Sequence, residues 1–270
     1  MGRELGRIIR SASTAADDRQ EGTWVLVDAG RSRLLCSSCF SLGKPAPRRR
    51  KPPEAKFSTG RHVANVGGIS FTYYVAGTGP LLVVQAPGWG IGSEYLRNGL
   101  VPLEKDFTLL FYDTRGSGDS SRPRDEGAMS TSDMVNDLEA LRAFWELKVL
   151  TLLGHSHGGA IALGYAIRHP SRVKKLLVVD SNIQGYDDDA LIEQEIEKRR
   201  GDKRFASAIE QLESKTRATN DIEFKAVIGR EAPIYFHDPE RYLPRLQETA
   251  PGLPSLWVRR ANSAADAKSS

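Results

Sequence analysis

Cysteine is almost absent from this 270-residue chain, with Cys36 and Cys39 the only two. A disulfide-stapled fold is excluded, and this C-x-x-C pair, with no βαβ pattern around it, is read as chance spacing rather than a redox or zinc site. No apolar run approaches the 18 or so residues of a membrane span, so the chain is read as soluble and without a membrane partner. Histidine is scarce as well, five in all, and only His157, His169 and His237 follow the serine singled out below. A dinucleotide loop is missing too, because Gly116-Ser117-Gly118 lacks the third glycine and the helix start that one needs. No cofactor and no metal are therefore expected.

Positive charge is present but unevenly placed. The net +4 divides into an excess of six over residues 1–56 and a deficit of two over the remainder. The pI near 9 thus describes the first fifth of the chain and argues against a nucleic-acid partner for the rest. Residues 1–56 mix short apolar patches with Arg, Ser, Gly and Pro and end in Pro45-Ala46-Pro47-Arg48-Arg49-Arg50-Lys51-Pro52-Pro53, which reads as a disordered basic leader. Acids fall early in it, at Glu4, Asp17, Asp18, Glu21 and Asp28, which favours a cytoplasmic chain over mitochondrial targeting.

From residue 57 the pattern is that of a fold. Two β-rich runs, 61–66 and 69–75, flank Gly67-Gly68, a hairpin signal. Short apolar runs at 81–86, 107–113, 149–153 and 176–179 suit strands buried on both faces. Between them lie a helix over about 131–147, with Ser132 as cap and Met134, Leu138, Leu141 and Trp145 at helical spacing, and another over 157–168 that stops before Pro170. Alternating strands and helices imply an α/β fold with a mostly parallel sheet covered on both faces.

The sharpest chemical signal is Gly154-His155-Ser156-His157-Gly158-Gly159, a G-x-S-x-G run placed between a strand and a helix. A serine on such a turn has a strained backbone, and only glycine-sized residues fit two before and two after it. Ser156 is the expected nucleophile, and the His157 N–H at the helix start is an expected oxyanion donor. Pro87-Gly88-Trp89-Gly90, the turn after an earlier strand, supplies the second donor through the Trp89 N–H.

Taken with Asp113-Thr114-Arg115-Gly116-Ser117-Gly118-Asp119-Ser120, these motifs resemble an α/β-hydrolase, and within it the proline iminopeptidase branch of the S33 serine peptidases, over about residues 57–258. Pro87 departs from the branch, where a histidine usually opens the oxyanion turn. The resemblance implies a core over 57–184, with Arg115 tying loops together beneath the site. It also implies a helical cap over 185–258, which Asp187-Asp188-Asp189 and the apolar positions Ile192, Ile196, Phe205, Ile209 and Leu212 suit. Glu231 is the closest match to a cap carboxylate that holds a substrate amine.

A serine hydrolase of this type also needs a base and an acid that follow the nucleophile. His157 adjoins Ser156, His169 lies about 20 Å along the helix, and His237 falls inside the cap; His237 is the candidate base and Asp180 the candidate acid. No strand ending in Asp and no later Gly-x-His segment follows residue 180, and residues 259–270 read as a disordered tail. The fold is thus expected to lack its last two strands, and the chain to be truncated. The expected function is a serine hydrolase cleaving a small amide or ester through an acyl-serine, first release of N-terminal proline from peptides. The alternatives are an ester or lactone hydrolase, or a non-catalytic binder of small ligands.

Overall fold

The computed structural model describes residues 25–27, 56–186, 189–214, 217–250 and 252–269. The expectations for Cys36, Cys39 and the basic run at 48–51 lie outside them.

Seven strands form one sheet: β1 Val25–Val27, β2 Gly60–Val66, β3 Ile69–Gly77, β4 Leu81–Gln85, β5 Thr108–Tyr112, β6 Leu150–His155 and β7 Val173–Val179, in the spatial order β1-β7-β6-β4-β5-β3-β2. The four strands from β7 to β5 run parallel, while β3, β2 and β1 join antiparallel at the two sides. β2 and β3 form the expected hairpin, and Gly67 and Gly68 both take positive φ (59° and 77°), the backbone that a tight hairpin turn demands. β1 corrects the reading of residues 1–56 as wholly disordered, because Val25, Leu26 and Val27 pair with Val178, Leu177 and Leu176 of β7.

Helices α1 Glu94–Gly99, α2 Thr131–Phe144 and α3 His157–Arg168 connect the strands. Ser130, not the expected Ser132, caps α2, in a reciprocal capping box with Asp133. The apolar stripe Met134, Leu138, Leu141 and Trp145 is fully buried against the sheet and α3. Trp145 meets the rings of Tyr73 and Tyr112 edge-on at 5.6 and 6.0 Å. Each such side chain contributes roughly 1.5–3 kcal/mol by leaving water.

After β7 come α4 Asp189–Arg199, α5 Ala206–Glu213, α6 Asp221–Glu231 and α7 Pro239–Thr249. Phe205 and Ile209 are buried as expected, but Ile192 and Leu212 are exposed, so the anticipated apolar seam is only partly closed. Among the described residues no strand follows β7.

The last element overturns the reading of residues 259–270 as a disordered tail. Leu256–Ser269 is a helix, α8, and Val258, Asn262 and Ala265 are buried along one side of it. Asn262 donates to the Met129 carbonyl at 2.8 Å, and Asp266 accepts from both the N–H and the hydroxyl of Thr131 at 2.7 Å. A chain of alanines and polar residues carries little hydropathic contrast, so its helical stripe is weak in the sequence, while the polar contacts that seat it come from a segment 135 residues away.

Candidate active site

Ser156 sits between β6 and α3 with φ 55° and ψ −130°, a positive-φ conformation that costs a non-glycine residue of the order of 1–3 kcal/mol. It is held there from three directions. Its N–H donates to the Val179 carbonyl at 3.1 Å, its carbonyl accepts from the Gly159 N–H at 2.9 Å, and the same carbonyl accepts from the Ser181 hydroxyl at 2.8 Å. The glycines around it have a steric reason. A Cβ on Gly154 would lie 2.5 Å from the Gly158 carbonyl oxygen, and one on Gly158 would run into the Gln85 carbonyl at the end of β4.

The Pro87–Gly90 turn is fastened to this elbow. The Gly88 N–H donates to His157 Nδ1 at 3.0 Å, and the Trp89 ring stacks on the His157 ring at 5.4 Å. Thr114 donates its hydroxyl to the Pro87 carbonyl at 3.1 Å, and the Ser255 N–H donates to the Gly90 carbonyl at 2.9 Å. Among the described residues nothing hydrogen-bonds to the N–H of Trp89, to the N–H of His157 or to the Ser156 hydroxyl. Two donors and a hydroxyl are therefore left for a ligand.

Beneath the turn, Asp113 accepts from the Ser93 and Asp119 N–H groups at 2.7 and 3.1 Å. Arg115 forms a buried two-pronged pair with Asp137, both contacts 2.6 Å, which ties its loop to helix α2. Burial raises the pKa of Asp137, and the guanidinium opposes that rise.

Of the two histidines of the elbow, His157 is buried and His155 half-buried, and both have lowered pKa values. Burial pushes His157 down to about 4, with Asp266 pulling it up and Arg259 down. His155 is also lowered by burial, against the pull of Asp180, and its Nδ1 lies 2.6 Å from the Tyr95 hydroxyl.

The candidate base and acid are not brought together. His237 is exposed between α6 and α7, and no hydrogen bond or ring contact joins it to Ser156 among the described residues. The reading of His237 as base is therefore without geometric support. Asp180, exposed at the end of β7 with φ 41°, lies in the field of His155 instead. Glu231 is half-buried at the end of α6, its pKa raised by burial and lowered by Arg230 and Arg259. Arg259 itself lies over the Trp89 ring at 4.0 Å. The sequence motifs do not single out Tyr95, Thr131, Arg259 or Asp266, because none of them belongs to a local pattern.

A strained serine between parallel strand and helix, with a glycine turn pinned beside it, is the nucleophile elbow of an α/β-hydrolase fold. Comparison with known proteins agrees. The family model described as the alpha/beta hydrolase fold matches residues 81–212. A cis-3-alkyl-4-alkyloxetan-2-one decarboxylase of Shewanella oneidensis is 34% identical over 125 residues, 45% of this chain and 38% of that protein. A (lyso)-N-acylphosphatidylethanolamine lipase of Homo sapiens is 39% identical over 105 residues, 37% of this chain and 30% of that protein. The chain thus spans between 30% and 38% of the length of these relatives. A hydrolase structure from Pseudomonas aeruginosa superposes with a TM-score of 0.53 at 19% identity, over 77% of this chain and 73% of that one. The chain has the α/β-hydrolase fold, and the family match and the relatives support its place in the α/β-hydrolase superfamily.

Proposed function

We propose that this chain carries the acyl-forming half of a serine hydrolase site. In this reading the Ser156 hydroxyl attacks an ester, amide or lactone carbonyl, and the N–H groups of Trp89 and His157 receive the oxyanion. Collapse of the tetrahedral intermediate breaks the carbonyl's bond to the alcohol or amine and leaves an acyl-Ser156; the leaving group takes up the hydroxyl proton and departs, or for a lactone stays tethered to the acyl group as its hydroxyl, and water then releases the acyl group. The observation that carries this reading is the strained Ser156 with two N–H groups unengaged on the elbow and on the turn pinned to it.

Esters and lactones are favoured over N-terminal proline as the substrate. The relatives are named for an alkyl-substituted oxetanone and for N-acylphosphatidylethanolamine. Glu231, the residue suited to a substrate amine, already lies in the field of Arg259. A second reading, a non-catalytic binder of small apolar ligands, is favoured by the absence of a base at the Ser156 hydroxyl among the described residues.

A fluorophosphonate probe separates the two on the 270-residue chain, with Ser156→Ala as control and p-nitrophenyl butyrate and proline p-nitroanilide compared as substrates. The hydrolase reading expects slow labelling confined to Ser156 and turnover of the ester above the anilide. Absence of labelling in the folded protein assigns it to the binders.

A further inference from the structure

The His157 side chain has no part in the chemistry above, yet it is the centre of a chain of hydrogen bonds, buried from Gly88 to Thr131 and half-buried at Asp266, that can run in only one direction. Its exposure is 2%. The Gly88 N–H can only donate, so His157 Nδ1, 3.0 Å away, must accept and carries no proton. A neutral imidazole with a bare Nδ1 bears its proton on Nε2, and that N–H donates to Thr131 Oγ1 at 2.9 Å. The Thr131 hydroxyl then donates to Asp266 Oδ2 at 2.7 Å, while the Thr131 N–H donates to Asp266 Oδ1 at 2.7 Å. Asn262 Nδ2 also approaches Asp266 Oδ2, at 3.2 Å, and so faces the carboxylate with a further donor. Reversing any one proton sets two donors or two acceptors against each other.

We propose that Asp266 is a positioning residue for the oxyanion turn. Through Thr131 it holds His157 as the Nε2–H tautomer, whose bare Nδ1 grips the Gly88 N–H and so fixes the turn that carries the Trp89 N–H. The inference rests on the reading of Trp89 as an oxyanion donor. The charged groups facing His157 are Asp266 and Arg259, both on α8, and burial outweighs them in keeping the ring neutral. The stacked Trp89 ring adds a second contact between His157 and the turn, with Arg259 on Trp89. α8 is therefore part of the site rather than a tail, and it reaches the elbow by hydrogen bonds and not by a catalytic side chain.

The test uses the full chain and three variants. Thr131→Val removes the hydroxyl with little change of shape, Asp266→Asn sets an amide N–H2 against one of the two Thr131 donors, and Thr131→Ser keeps the relay. Nitrogen NMR of the His157 ring reads the tautomer, hydrogen exchange at the Gly88 amide reads the grip on the turn, and fluorophosphonate labelling reads Ser156. The expected result is Nε2–H with a protected Gly88 amide in the wild type. Thr131→Val and Asp266→Asn should mix in the other tautomer, expose the Gly88 amide and slow labelling on the order of tenfold or more, within the cost of losing one oxyanion donor. Thr131→Ser should restore all three readouts. A wild-type ring protonated on Nδ1, or variants that leave the tautomer and the Gly88 amide unchanged, overturns the proposal. A wild type that never labels removes the hydrolase reading, while tautomer and exchange still decide the relay.

Discussion

His157 makes the stability of this protein sensitive to mild acid, and the size of the effect follows from its surroundings. Its ring is buried, accepts the Gly88 N–H on Nδ1 and donates through Nε2 to Thr131, so a second proton has to displace the Gly88 contact. The folded chain accordingly holds the imidazole at about 4, against 6.5 for an unhindered histidine. A group whose folded pKa is depressed binds its proton first in the unfolded state, so stability is lost as the pH falls through 6.5 and levels off below about 4. The gap corresponds to about 3 kcal/mol, at 1.36 kcal/mol per tenfold change in proton affinity. Urea unfolding between pH 7 and pH 4 measures it, with His157→Asn as the reference. That variant supplies an amide acceptor for Gly88 without a titrating ring. His155 is depressed too and titrates in the same direction in both proteins. The wild type should therefore lose about 3 kcal/mol more than His157→Asn across this range. Equal losses, or an NMR titration of His157 in the wild type with a midpoint above 6, would refute the argument, and the second measurement stands even if the variant does not fold.

Two further outcomes follow from the elbow and the loop beneath it. Ser156→Gly relieves a φ of 55° that a glycine adopts freely, so thermal unfolding should show a gain on the order of 1 kcal/mol, with Ser156→Ala unchanged within a few tenths. Arg115→Ala leaves Asp137 buried without its partner and should cost roughly 3–5 kcal/mol in chemical denaturation, whereas replacing both residues together by apolar ones of similar size should cost less.

Much of the core is legible in the amino-acid order alone, because its signals are local. The glycine pair at 67 and 68, the apolar runs at 81–86 and 149–153, and the three- and four-residue spacing of Met134, Leu138, Leu141 and Trp145 each reflect a constraint between residues a few positions apart. The nucleophile elbow is legible for the same reason, since the close approach of Gly154 to Gly158 leaves room for no side chain. The start of α2 is legible only to within two positions, because Ser130 and Ser132 are equally good caps by residue type and the reciprocal bond with Asp133 alone separates them.

The class of fold and the turn on which Ser156 stands are thus written in steric and hydropathic periods of a few residues, and the order of amino acids is enough to specify them. Which distant groups meet at that turn is settled by packing. The closed fold leaves His237 exposed with no hydrogen bond to Ser156 among the described residues, sets Asp180 in the field of His155, and seats α8 so that Asp266 reaches Thr131 and, through it, His157. Hydrogen bonds of this kind depend on the direction of a few polar atoms once the core has closed. A run of alanine, asparagine and aspartate with almost no apolar contrast gives no hint of that direction.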